Sequence, residues 1–150
     1  MNYKYTECGL DNVEIKNMPV VIDDAGDEVY EIRNILGLHK VIAACIIRHP
    51  HSISPNELRF LRTEMGMTQA ELAAIVKKDH QTVGRWERGE KPIDQNAEVL
   101  IRLLCAERLE LPRDGTIEEL ARRCVPTAET QVITIDGGDP RNYRPLQIAA

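Results

Sequence analysis

Residues 57–92 read ELRFLRTEMGMTQAELAAIVKKDHQTVGRWERGEKP and decide the fold of the chain. The stretch contains three sets of apolar residues, each spaced so that its members fall on one face of a helix. The sets are Leu58, Leu61 and Met65; Leu72, Ala73 and Val76; and Val83 and Trp86. We therefore expect three short helices that bury these faces in a common core.

Polar residues mark where the helices begin. Ser54 to Glu57 and Thr68 to Glu71 have the capping-box pattern, in which the first side chain and the glutamate satisfy each other's free amides. Pro55 occupies a first helical position, where no helical hydrogen bond is lost. Asp79 and Asp94 are predicted to be the N-caps of two further helices. The pattern thus predicts four helices in succession.

The connection between the second and third of these helices is short. From Val76 to Asp79 there is no room for a flexible antiparallel hairpin, so the two helices must cross steeply, and the small side chain of Ala73 permits their close approach. This is the geometry of a DNA-reading helix-turn-helix.

The quoted stretch resembles the Cro/repressor-type, or Xre-type, helix-turn-helix family over roughly a third of the chain. The likeness is carried by Leu58, Arg62, Met67-Thr68-Gln69, Leu72-Ala73, Thr82-Val83 and Arg85-Trp86-Glu87-Arg88-Gly89. Lys77 and Lys78 depart from the pattern, because a glycine and a small apolar residue are usual in this turn. A left-handed backbone at Lys77 would cost about 1–2 kcal/mol that glycine avoids.

The resemblance implies that the helix after Asp79 enters the major groove, while the helix after Thr68 lies across the DNA backbone. The residues implied to contact base edges are His80, Gln81 and Arg85, and those implied to contact phosphates are Gln69, Thr68, Lys78, Arg88 and Lys91. For Arg88 and Lys91 the alternative is an ordinary solvated charge. We expect Arg62 to form a salt bridge between helices and Trp86 to lie in the core.

The flanking segments predict a mainly α protein with a small β portion (α+β), in which a β-hairpin and a helix precede the helix-turn-helix bundle. Expected elements are strands 13–22 and 28–32 joined by a turn, a helix 34–49, a short helix 116–123 and a strand 130–135, with a loose tail from Gly137. The expected domains are 1–50 for dimer or partner binding, 51–111 for DNA binding, and 112–150 as a C-terminal extension.

Charge and composition narrow the class of protein. The net charge is −5, and residues 1–50 contain five Lys/Arg against eight Asp/Glu, whereas residues 51–102 contain eight of each. The second segment is locally neutral and can still present a basic face to DNA. The four cysteines form no CxxC pair, and no leader or membrane span is visible, so we expect free thiols, no zinc finger and a cytoplasmic protein.

The layout of an N-terminal unit before a repressor-type domain also resembles, more weakly, MqsA-like antitoxin regulators. The paired zinc cysteines of that layout are missing, since Cys8 stands alone. A metal site could instead use Cys45 and His49, one helical turn apart, with His39 and His51. We favour the reading without metal or cofactor, in which Cys45 is core and the three histidines are surface or cap residues.

The sequence therefore predicts a DNA-binding transcriptional regulator that acts as a repressor or autorepressor on a palindromic operator in double-stranded DNA. We expect a homodimer, because the helix after Asp94 has more apolar surface than a small domain needs. One alternative is a type II antitoxin that also neutralises a toxin, which would add a toxin or co-regulator as a partner. A metal-dependent enzyme is the least favoured alternative, since no catalytic constellation is visible.

Overall fold

The computed structural model describes residues 3–112, 116–123 and 131–146. The helices are α1 (Ile35–Arg48), α2 (Pro55–Glu64), α3 (Gln69–Val76), α4 (His80–Glu87), α5 (Gln95–Arg108) and α6 (Ile117–Arg123). The strands are β1 (Tyr3–Lys4), β2 (Val13–Lys16), β3 (Val20–Ile22), β4 (Glu28–Tyr30), β5 (Ile133–Asp136) and β6 (Arg144–Pro145). The predicted α+β class is confirmed. In the described parts of the chain, no helix is long and apolar enough to cross a bilayer.

The chain separates into two compact units. One comprises Met1–Ile42 together with Gln131–Ala150, and the other is Ala43–Thr130. The boundaries expected from the sequence, after residues 50 and 111, differ from this division. Residues 131–146 belong to the first unit, so the segment 112–150 is divided between the two units.

The first unit is organised by a sheet with the strand order β1-β2-β5-β6. Strands β2 and β5 are parallel, with Val13 opposite Ile133 and Ile15 opposite Ile135, and all four side chains are buried. Alternate residues of a strand point to one face, so these pairs form the apolar side of the sheet. The predicted strand 130–135 is found at Ile133–Asp136, and residue 130 lies outside the described residues.

The expectation of a loose tail from Gly137 is wrong for the part up to residue 146. Strand β6 pairs antiparallel with β5, and Tyr143 is buried. The Tyr143 hydroxyl donates to the carbonyl oxygen of Arg33, and the side-chain amide of Asn34 donates to the carbonyl oxygen of Pro140 at 2.9 Å. Buried aromatic surface and these long-range bonds hold a segment whose composition is that of a loop.

The predicted hairpin is present between β3 and β4, but its first strand is shorter than expected. The Asp23 carboxylate organises the turn by accepting from the amides of Ala25 and Asp27 at 3.0 and 2.9 Å. The single strand expected over 13–22 is instead broken into β2 and β3. Asn17 has a left-handed backbone, with φ of 59°, and Pro19 offers no amide to a sheet ladder.

The second unit contains the helix bundle. Its core includes every apolar residue predicted to line α2, α3 and α4, namely Leu58, Leu61, Met65, Leu72, Ala73, Val76, Val83 and Trp86. Helix α5 contributes Ala97, Ile101 and Cys105 from its buried face.

Three of the four predicted helix starts around this bundle have side-chain caps. Ser54 and Thr68 form complete capping boxes, and the Asp79 carboxylate caps α4. Asp94 precedes α5 but makes no cap hydrogen bond; its carboxylate lies 3.9 Å from the Lys78 ammonium. The expected short helix α6 is also present, and the Thr116 hydroxyl accepts from the amide of Glu119 at 3.2 Å.

Candidate nucleic-acid interface

A tight three-residue connection orients α4 against α3. Lys77 caps the end of α3 in a left-handed conformation, with φ of 59° and ψ of 41°. The amides of Lys77 and Lys78 both donate to the carbonyl oxygen of Ala73, the latter at 3.0 Å. The backbone thus adopts the conformation in which glycine is favoured, although the residue is a lysine.

The start of α4 is fixed by Asp79. Its carboxylate accepts from the Thr82 amide at 2.8 Å and from the Thr82 hydroxyl at 3.0 Å. These hydrogen bonds, led by the one from the amide, hold the pKa of Asp79 below its usual range. A negative charge at this end also suits the helix dipole.

A buried carboxylate joins the three helices of the motif. Glu87 of α4 is 3% exposed and accepts from Nε and Nη2 of Arg62 in α2, at 2.6 and 3.0 Å. It also accepts from the side-chain amide of Gln69 in α3 at 3.2 Å. The carboxylate raises the pKa of Arg62. The expected structural salt bridge of Arg62 is confirmed, and its partner was not foreseen.

Helix α4 has two distinct faces. Val83, Gly84, Trp86 and Glu87 are buried. The three residues predicted to contact bases, His80, Gln81 and Arg85, are all exposed. The domain therefore presents these three side chains to solvent from a helix whose opposite side is anchored in the core.

The residues predicted to contact phosphates lie in different environments. Thr68 and Lys91 are exposed, whereas Gln69 is half-buried and its amide group is bound to Glu87. Arg88 is exposed and forms an ion pair with Glu90 at 3.0 Å. Lys78 is exposed beside Asp94. Thr68 uses its hydroxyl as the α3 cap, where it accepts from the Glu71 amide at 3.1 Å.

Gly84 leaves space for two of these side chains. A Cβ atom at this position would lie 3.0 Å from Nη1 of Arg88 and 3.4 Å from Oε1 of Gln69. The glycine therefore lets Arg88 and Gln69 lie across the surface of α4. The sequence signals a glycine inside a helix but gives no indication of which groups fill its place.

A groove of about 670 Å³ opens beside α4, and it was not predicted. Its lining includes Lys78, Thr82, Trp86, Lys91 and Asn96. The indole nitrogen of Trp86 is buried and has no hydrogen-bond partner within residues 3–112, 116–123 and 131–146. The placement of Trp86 in the core is confirmed. The groove is lined by two lysines and by Asp94, which lies beside Lys78.

The histidines and cysteines are arranged differently from the metal site considered above. Helix α1 ends at Arg48, so His49 lies beyond the helix that contains Cys45. Burial raises the pKa of the Cys45 thiol to about 11. His51 is buried, not a surface or cap residue. Its ring lies against that of His49, with His49 Nδ1 and His51 Nε2 3.1 Å apart. Cys8, Cys45 and Cys105 are free thiols, and Cys124 lies outside the described residues.

One comparison with known proteins gives a match. Residues 58–110 match a family model described as helix-turn-helix, from the first buried leucine of α2 to just beyond the end of α5. No curated protein and no solved structure matches the chain. The matched segment contains the connection between α3 and α4, the buried Glu87 with its partners Arg62 and Gln69, and the exposed face of α4.

Proposed function

We propose that this chain represses transcription by binding a palindromic operator. Its residues 58–110 are a helix-turn-helix domain of the Cro/repressor (Xre) type, which makes the chain a DNA-binding regulator. In this proposal it acts as a homodimer in the cytoplasm. The observation that carries it is the division of α4 into a buried anchor and an exposed polar face.

The exposed face of α4 has the chemistry needed to read bases. In the major groove, Gln81 can pair through two hydrogen bonds with adenine, and Arg85 can do the same with guanine. His80 adds a ring nitrogen at the start of the helix, the end that approaches base edges in this class of motif. The anchoring of Trp86 and Glu87 in the core keeps these side chains in register with each other.

Phosphate binding is assigned to the residues around this face. Lys78, Arg88 and Lys91 supply positive charge, and Thr68 and Gln69 lie at the N-terminus of α3, where helix amides favour an anion. The amide group of Gln69 is bound to Glu87, so its contribution to a phosphate would come from its backbone. Glu90 is exposed, and a phosphate can replace it as the partner of Arg88.

Dimer formation is assigned to α5. Leu100 is 45% exposed, and Val99, Leu103 and Leu104 are only half-buried, so the helix keeps an apolar strip outside the core of its own unit. A twofold axis through this strip would pair two copies of α4. The half-sites are then expected about 10–10.5 base pairs apart, centre to centre.

Selection of bound duplexes from a random pool, at a fixed and stated salt concentration, tests the proposal. The expected product is a palindrome with that spacing, bound by two chains. Recovery of no enriched sequence by folded protein would overturn the proposal. Recovery of a single half-site bound by one chain would support sequence recognition by this domain and contradict the proposed dimer.

A second candidate function is that of an antitoxin that binds a toxin through the first unit. It is favoured by exposed apolar residues on the β3–β4 hairpin, where Ile22 is 72% and Val20 49% exposed. If a toxin is encoded beside this chain, Ile22→Lys in the full chain should weaken the complex and leave operator binding unchanged. An unchanged complex would remove the hairpin as the binding surface.

A further inference from the structure

Three side chains of types that can ligate a metal ion converge in the second unit, where the chain passes from α1 to α2. His49, His51 and Glu57 each offer one ligand atom, and these atoms all lie within 4.8 Å of one another. His51 is 5% and Glu57 1% exposed, and His49 is half-buried. Within the described residues, no other group of three or more such side chains meets this condition.

Buried charges hold the backbone that carries the two histidines. The Arg102 guanidinium donates to the carbonyl oxygens of Ile47 at 2.8 Å and His49 at 3.0 Å, and also to that of His51. The three hydrogen bonds donated by this one planar guanidinium fix the backbone positions from which both histidine rings project. The rings therefore meet because of a long-range contact from α5.

The carboxylate of Glu57 is oriented by the start of α2. Its Oε1 atom accepts from the Ser54 amide at 2.9 Å as part of the capping box. A carboxylate has two oxygens and about four acceptor sites, so one carboxylate can accept a hydrogen bond and ligate a metal ion at the same time. The capping box thus supplies the kind of second interaction that commonly orients a metal ligand.

We propose that His49, His51 and Glu57 bind one divalent transition-metal ion, and that Zn²⁺ is the ion this donor set fits best. Two imidazoles and one carboxylate are a common set of protein ligands for zinc. Ligand atoms 2.0–2.1 Å from a tetrahedral ion are about 3.3 Å apart. The 3.1 Å between His49 Nδ1 and His51 Nε2 is close to that value. A water molecule completes the fourth position.

The surrounding charges are compatible with a cation. Arg102 faces the site, but its guanidinium lies 3.5 Å from the buried carboxylate of Glu98, so this pair is close to neutral. A hydrogen bond joins His49 Nδ1 and His51 Nε2, and a change of tautomer in one ring frees both nitrogens for the ion.

Binding would connect residues 49–51 to the first turn of α2 and would stabilise the unit that reads DNA. An ion that binds only the folded state stabilises it by RT ln(1 + c/Kd), where c is the free ion concentration, so the melting temperature keeps rising with c. The test uses the full chain, stripped with a chelator and titrated with Zn²⁺ alone. We expect saturable binding of one ion per chain and a higher Tm.

Substitution of Co²⁺ identifies the ligands. A nitrogen and oxygen site gives visible Co²⁺ absorption without the charge-transfer band of a cobalt thiolate. A thiolate band that disappears in Cys45→Ser would assign the metal to the cysteine and overturn the proposal. Absence of saturable binding by stripped, folded chain, judged by circular dichroism, would overturn it as well.

Matched variants separate this site from the alternative. His49→Gln and Glu57→Gln remove ligands while keeping shape, and Glu57→Gln retains a side-chain oxygen for the Ser54 amide; each should weaken Zn²⁺ binding at least about tenfold. His39→Gln, which lies in the other unit and bonds to Tyr5, should not change it. Full affinity in His49→Gln, or loss in His39→Gln, would contradict the assignment. If Glu57→Gln fails to fold, half-buried His49→Gln decides.

Discussion

Replacing Arg62 by methionine would leave the buried carboxylate of Glu87 without its main partner. The side chain of Glu87 is fully buried and that of Arg62 is 17% exposed, and the substitution removes both of their hydrogen bonds. Removing one partner of a buried ion pair costs about 3–5 kcal/mol. Gln69 and the more distant Arg59, at 3.5 Å, still face the carboxylate, so we expect a loss of about 3 kcal/mol, the low end of that range.

The free energy of unfolding can be measured by urea denaturation, followed by the fluorescence of Trp86, the only tryptophan in the chain. Arg59→Met is the matched control, because Arg59 is 55% exposed and its pair with Glu87 should contribute less than about 1 kcal/mol. The double variant R62M/E87L removes both charges of this pair and should be more stable than Arg62→Met alone. A loss below about 1 kcal/mol for Arg62→Met, or a double variant as unstable as the sum of its parts, would refute this reasoning.

Three further substitutions test local features of the second unit. Lys77→Gly should raise the free energy of unfolding by about 0.5–1 kcal/mol, because relief of the left-handed strain exceeds the added entropy of the unfolded chain; a less stable protein in urea denaturation would show that Lys77 makes a compensating contact. Leu100→Glu should give a monomer in light scattering and weaker operator binding, and an intact dimer would place the interface elsewhere. Gly84→Ala should cost more free energy of operator binding than free energy of unfolding, because the new methyl group displaces the flexible ends of Arg88 and Gln69. Unchanged operator binding would show that the positions of these two side chains are not needed.

The helices of the second unit follow from local signals. Apolar residues at helical spacing identify the buried faces, and the capping residues Ser54, Thr68 and Asp79 give the first turns to within a residue. These signals act over a few residues and do not depend on the rest of the fold. For that reason they survive in the structure almost unchanged.

The sheet could not be predicted in the same way. Strands β2 and β5 are parallel partners from opposite ends of the chain, and the hydrogen bond from the side-chain amide of Asn12 to the carbonyl oxygen of Gln131 spans 119 residues. Such a pairing leaves no turn signal between its strands. The tail after Gly137 has the composition of a loop, and its order also depends on distant residues. Tyr143, for example, bonds to the carbonyl oxygen of Arg33, 110 residues away.

The candidate interface was only partly visible in the sequence. Exposure of His80, Gln81 and Arg85 follows from helical periodicity, because they alternate with buried residues. The buried roles of Glu87, His51 and Glu57 do not, since a charged or polar residue inside an apolar pattern is read as surface. Their partners come from other helices, and only the three-dimensional arrangement brings them together.

Deleting residues 1–51 would remove part of the second unit as well as most of the first. A fragment that begins at Ser52 would lose the carbonyl oxygens of Ile47, His49 and His51, to which buried Arg102 donates. It would also keep β5 without β2. Operator recognition is therefore best tested with point variants of the full chain.

The role of α4 in reading bases is tested most directly by binding of Arg85→Ala to the selected operator and to every single-base variant of it. We expect operator binding to weaken by about 1–3 kcal/mol and the preference at one base pair to disappear. Lys91→Ala is the control, because Lys91 lines the protein groove beside α4 and is assigned to a phosphate. This variant should bind all DNA sequences equally less tightly, and its binding should depend less on salt. An Arg85→Ala protein that is folded and keeps the complete preference profile would show that α4 does not read the DNA sequence through Arg85.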